Sequence, residues 1–292
     1  MIKYNPKSWF GLIFEFHRSD TFRKMFWVLI AFGAYAAGLT YLMLTNLESG
    51  EMHSSITVHS LLGFVIGLLL VFRTNTAYDR WWEGRKQWGS LVNTTRHLAI
   101  QTRALLKPTD PDSLETNKGS ERIAARGVVM DLLIEYPCAL AEHLRTAPVT
   151  DGEAHPPHRP NNIASALLQE AVRWTSIEKW FDPRLYIGME RSIARLTDIT
   201  GACERIRNTP IPYNYNMFIK KFIFVYVMTM PLGLIGTFGY WSVPISVFTL
   251  YIFGSLELLA EEIEEPFGLD ASDLPLDSLC ETMERNVREL LE

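Results

Sequence analysis

The sequence predicts an all-α membrane protein with four transmembrane helices and a large helical region outside the bilayer. Three observations predict it. Asp, Glu, Lys and Arg are absent between Lys24 and Glu48, between Glu51 and Arg73, and between Lys221 and Glu257. The third stretch is too long for one crossing, which takes about 20 residues, and its middle holds Pro231, Gly233, Gly236, Gly239 and Pro244. The region between, roughly residues 75–216, repeats apolar residues at helical spacing with no competing strand alternation. Averages conceal this division: the chain is 48% apolar with a mean hydropathy of +0.03, values a soluble protein could show. Distribution decides the class, not the mean.

The elements follow in order. Residues 1–24 read as an interfacial segment on the inner leaflet, since Trp9, Phe10, Leu12, Ile13, Phe14 and Phe16 accompany scattered cations without a cleavage pattern. Residues 25–47 form the first span. Residues 52–105 form the second span and continue as a cytosolic helix, because no proline or run of turn residues intervenes before Pro108. Residues 106–216 are a cytosolic helical region, broken at Pro108–Pro111 and at the proline-rich stretch 146–160. Residues 222–238 and 241–260 are the third and fourth spans, joined near Phe238–Ser242. Residues 261–292 close the chain as an acidic cytosolic segment of one integrated domain.

Lys and Arg placement orients these spans. Lys3, Lys7, Arg18, Arg23 and Lys24 precede the first span, whereas the loop from Glu48 to Ser55 holds neither residue. Cations return at Arg73, Arg80, Arg85 and Lys86 and again at Lys220 and Lys221. Both termini and the middle region are therefore predicted to be cytosolic.

Several function classes are excluded. No phosphate loop, Ser/His/Asp order or HExxH occurs, so an enzyme has no residues to stand on. A net charge of −5 without an aromatic-interleaved basic patch argues against nucleic acid. Cys138, Cys203 and Cys280 lack metal or redox spacing and read as buried inert thiols. His155 and His158 read as part of a solvated turn.

The second span carries the informative pattern. Phe64, Leu68 and Phe72 lie at i, i+4 and i+8, one stripe along a helix. Such a stripe faces either lipid or a shared axis, where repeated copies would stack into apolar rings. Gly63 and Gly67 form a GxxxG pair suited to close helix packing. Below them, Arg73, Arg80, Trp81, Trp82 and Glu83 read mainly as a packing motif that fixes this helix against its neighbours. Arg80 can meet Glu83 at i+3, the two Trp suit the interface, and Arg73 could add positive potential beneath the stripe.

The order of three motifs resembles the bestrophin family. They are Phe72-Arg-Thr-Asn-Thr-Ala-Tyr-Asp-Arg-Trp-Trp-Glu83, Cys203-Glu-Arg-Ile with Thr209-Pro-Ile-Pro-Tyr213, and Glu264-Glu-Pro-Phe-Gly268. The similarity covers nearly the whole chain, and the short loops resemble those of bacterial members. It implies a homopentameric ion channel of a bacterial inner membrane, in contact with lipid, whose second transmembrane helices line one axial pore for small monovalent ions. Phe64, Leu68 and Phe72 then match the family's hydrophobic neck. The family's cytosolic aperture position falls on Arg184, where an apolar residue is usual. Five guanidinium groups there would favour anions such as chloride; the alternative is an exposed arginine paired with Asp182 or Glu190.

In calcium-gated members, acidic residues after Pro-Phe-Gly bind Ca²⁺. Asp270, Asp273, Glu265 and Glu262 match such positions in part, although Leu269, Ala271 and Ser272 thin out the acidic run; no cofactor is otherwise required. Cation selectivity is the alternative within the family. A secondary transporter or a non-conducting membrane scaffold are the alternatives outside it.

Overall fold

The computed structural model describes residues 20–46, 56–106, 117–146, 157–178, 180 and 182–292. The expected interfacial segment before Asp20, the loop around Glu51, the break at Pro108–Pro111 and His155 lie outside the described residues. Helix α1 runs Asp20–Asn46, α2 Ile56–Leu105, α3 Asn117–Arg145, α4 Arg159–Val172, α5 Pro183–Asn208, α6 Tyr213–Phe238, α7 Ser242–Glu264 and α8 Leu276–Leu291. A π-helical turn, Arg173–Ile177, follows α4, and a 3₁₀ turn, Gly239–Trp241, separates α6 from α7. Among the described residues there is no strand.

Local chemistry explains the boundaries. Asp182 caps α5, its carboxylate accepting from the Arg184 amide at 2.8 Å, and Pro183 supplies a helical φ at the first position. Helix α6 ends where Gly239 takes φ +53°, a left-handed backbone that side chains disfavour. Pro137 and Pro231 sit inside α3 and α6 without ending them.

Helix α2, at 50 residues, is about 75 Å long, well beyond a hydrocarbon core of about 30 Å. Where the sequence reads as one integrated domain, the chain divides into two compact units, and α2 contributes to both.

The first unit holds the described residues up to Arg80 together with Pro210–Glu265. Thr21–Thr45, the start of α2, and Tyr213–Glu264 are long and apolar enough to cross a membrane, the last being divided at Gly239–Trp241. Helix α7 packs on α1 and α6, and α1 also touches α6. Phe32, Ile66, Leu70, Ile219, Ile223, Val227 and Leu234 form its core. Buried polar contacts tie the helices: Thr40 Oγ1 meets Ser242 Oγ at 3.1 Å, and Tyr35 Oη donates to the Met228 carbonyl.

The second unit comprises Trp81–Thr209 and Pro266–Glu292. Buried residues recur at helical spacing on each element, as Trp88, Leu91, Leu98 on α2 and Leu276, Cys280, Met283, Val287, Leu291 on α8. Helix α3 packs on α4, α5 and α8. Tyr136 is buried at the α3–α5 contact, donating to the Leu196 carbonyl at 2.9 Å and so accepting from Thr200 Oγ1 at 2.7 Å. Burial pushes its hydroxyl up to about 12, against the Thr200 hydrogen bond. Burial likewise pushes the Cys203 thiol up to about 12. Cys138, expected to be buried, is exposed, at the edge of the core beside Cys280.

Candidate functional site

Helix α2 has two faces in the first unit. Ile66, Leu70, Arg73 and Ala77 recur every three or four residues and are buried. Phe64, Leu68 and Phe72 share another face and are 71%, 48% and 55% exposed. That row continues into Thr76, and Asn75 and Asp79 beside it are exposed too. An apolar stripe thus gives way to polar side chains along one helix face.

The buried face is close-packed at one glycine. A Cβ on Gly63 would stand 2.6 Å from Tyr226 Oη, so the glycine makes room on α2 for the tip of a tyrosine side chain from α6. At Gly67 none of the described residues lies within 4 Å of that position. Packing within the chain therefore accounts for Gly63 and not for Gly67.

Arg73 does not lie beneath the stripe as a free positive charge. Its side chain is buried, with Nη2 donating to Glu264 Oε2 at 2.6 Å and Nε standing 3.7 Å from Glu257 Oε2. A charge in a membrane helix is stable only when paired or wet, and here Glu264 on α7 pairs with it, with the Glu257 carboxylate nearby. Glu264 ties three segments together. Its Oε1 accepts from the Ile211 amide at 3.0 Å, and its carbonyl accepts from Arg80 Nε at 3.1 Å. The expected Arg80–Glu83 pair gives way to these partners, while Glu83 engages Lys86 at 2.6 Å and Gln87 at 2.7 Å. Sequence reasoning missed Glu257 and Glu264. Their signal was present in the charge-free fourth span, which ends abruptly in carboxylates with no nearby cation.

Trp81 and Trp82 differ in role. Trp81 packs on the core of the second unit, where its Nε1 donates to the Ser272 carbonyl at 3.0 Å; Trp82 is exposed. Arg184 is on the first turn of α5 with its side chain 90% exposed, its Nε 3.9 Å from Asp182 Oδ1. The Asp182 carboxylate thus faces both the helix N-terminus and the Arg184 guanidinium, which itself stands in solvent.

The acidic segment falls in two parts. Glu262 pairs with Lys24 at 2.9 Å, and Glu265 is exposed in the first unit. In the second, Asp273 is buried and its Oδ2 accepts from the Asp270 amide at 2.7 Å, while Leu274 donates to the Pro266 carbonyl at 2.9 Å. A Cβ on Gly268 would stand 2.7 Å from that same Oδ2, which explains the glycine. Neither pair alone provides the six to eight oxygens Ca²⁺ takes.

The described residues thus form an all-helical membrane protein with an exposed apolar-to-polar row on its longest helix. The family model for bacterial and fungal bestrophin proteins matches residues 1–289. The chain belongs to that family of ion channels. A voltage-dependent anion channel-forming protein of Nostoc sp. (strain PCC 7120) is 30% identical, covering 97% of this chain and 92% of the other. A voltage-dependent anion channel-forming protein of Escherichia coli (strain K12) is 28% identical, over 99% and 94%. The solved structure of a bestrophin homologue from Klebsiella pneumoniae, as a point variant, superposes with a TM-score of 0.77 at 26% identity, covering 92% of this chain and 100% of that one.

Proposed function

We propose that the chain is the subunit of a homopentameric channel that passes small monovalent anions, chloride among them, passively through a bacterial inner membrane. Five copies of α2 line the axis, both termini face the cytosol, and Phe64, Leu68 and Phe72 form the hydrophobic neck. The neck resists ions while narrow and dry, and conducts once it widens enough to wet. Arg184 forms a lower ring whose positive potential favours anions.

The observation that carries this reading is the exposed row on α2. Phe64, Leu68 and Phe72 stay uncovered while the opposite face of the same helix is buried around a neutralised Arg73. The same face continues into Thr76, Asn75 and Asp79, as a pore wall leading from an apolar neck to water would. The names borne by the Nostoc and Escherichia coli relatives support anions. Purified protein in chloride-loaded liposomes tests the reading: chloride efflux on dissipating the potential is expected, and its absence would favour a non-conducting scaffold.

One observation favours the cation-selective alternative. Asp79 is exposed seven residues beyond Phe72 and would contribute negative charge below the neck. Exchanging permeant cations and anions in the same liposomes separates the two.

A further inference from the structure

Three residues from three helix ends meet in the second unit. His143 lies in the last turn of α3, His158 is the residue that caps α4, and Glu204 lies near the end of α5. Glu204 Oε1 is 2.8 Å from His143 Nε2 and 2.7 Å from His158 Nε2, with the imidazole centroids 4.4 Å apart. Among the described residues this is the one place where three His, Cys, Asp or Glu ligand atoms lie within 4.8 Å of one another. His158 is thus not the solvated turn residue its proline-rich surroundings suggest. The mount is braced, since Arg207 Nη1 donates to the His143 carbonyl at 3.0 Å.

We infer that His143, His158 and Glu204 bind a divalent transition-metal ion of the zinc class. The donor set decides the class. Imidazole nitrogen suits zinc and its neighbours, whereas Ca²⁺ and Mg²⁺ take oxygen. Two imidazoles and one carboxylate leave a fourth tetrahedral position for water, and zinc binds such ligands at about 2.0–2.2 Å. Ligands at those lengths stand about 3.3 Å apart around a tetrahedron, so the present contacts need open by only about half an ångström. The side chains are 28%, 33% and 28% exposed, sheltered but reachable from solvent.

Ion entry has a local consequence. His158 Nδ1 accepts from the Asn161 amide at 3.2 Å, which in the neutral ring places the proton on Nε2. Coordination through Nε2 moves that proton to Nδ1 and releases the Asn161 amide, so the ring changes tautomer. Three hydrogen bonds, the cap from Asn161 and the two between the imidazoles and Glu204 Oε1, are exchanged for three metal–ligand bonds, and His143 Nε2 likewise gives up any proton it carries.

Isothermal titration of zinc chloride into the detergent-purified full-length protein tests this site independently of conduction. One ion per chain is expected. His158→Ala and Glu204→Gln should each weaken binding by at least about 100-fold, since even outer-shell partners of a metal are worth about 10–100-fold. X-ray absorption on the zinc-loaded wild-type protein needs no variant and should show imidazole and oxygen ligands without sulfur. Absence of binding, unchanged affinity in both folded variants, or a sulfur shell assigning the ion to Cys138 or Cys280 would overturn the inference.

Discussion

Arg73 Nη2 lies 2.6 Å from Glu264 Oε2, joining residues 191 apart in the chain on a buried face of α2. Removing one member of a buried pair leaves an uncompensated charge, which costs about 3–5 kcal/mol. Arg73→Met strands two carboxylates, Glu257 and Glu264, and should destabilise more than Glu264→Gln, which leaves Glu257 near Arg73. Thermal unfolding of the detergent-solubilised variants checks the order. Equal, small losses would mean the cluster is wet and weakly coupled.

The contact of Gly63 with Tyr226 gives a prediction with an internal control. Gly63→Ala forces the Tyr226 hydroxyl to shift and should cost about 1–3 kcal/mol, as overpacking does. Tyr226→Phe in the same chain should recover much of that loss. Gly67→Ala meets none of the described residues and should change stability by no more than about 1 kcal/mol, in the direction of greater helix propensity. A large loss at Gly67 would indicate that a second copy packs there.

The neck reading predicts that alanine at Phe64, Leu68 and Phe72 together gives a channel that conducts without its gating stimulus. Shorter side chains widen the constriction and lower the barrier to wetting. Bilayer recordings of the triple variant check this, and wild-type gating in it would remove these residues from the gate.

Arg145 and Asp277 provide a pH test outside the membrane spans. Two hydrogen bonds, at 2.8 and 3.0 Å, join them. The Arg145 guanidinium holds the Asp277 carboxyl below its ordinary value of 3.8, and the pairing raises Arg145 in turn. Asp277 therefore stabilises the fold fully above the ordinary carboxylate value, and the contribution is lost as pH falls below it through the folded-state value. The pair is solvent-exposed on the Asp277 side, so Asp277→Asn should cost only about 0.2–1 kcal/mol at neutral pH. Melting curves of wild type and variant should converge on acidification, and a difference that grows in acid would contradict the assignment.

The all-helical class and the family were legible in the sequence because both are written in local patterns. Charge-free stretches and helical spacing mark the class, and the run from Phe72 to Glu83 carries the resemblance. Pairing was not legible. Arg73 finds its partner on α7, Gly63 faces Tyr226 on α6, and Glu204 gathers two histidines from other helices. Helical periodicity records which face is apolar, but not which distant residue meets it. Arg80 shows the limit: the i+3 rule offered Glu83, and tertiary structure supplied Glu264 instead.

Passive anion conduction along an axis lined by α2 and ringed by Arg184 stands or falls on ion selectivity. Reversal potentials of the purified protein in a planar bilayer under a potassium chloride gradient test it most directly. The account predicts a reversal near the chloride equilibrium potential, shifted toward that of potassium by Arg184→Glu. A wild-type reversal near the potassium potential, or no current at all, would contradict it.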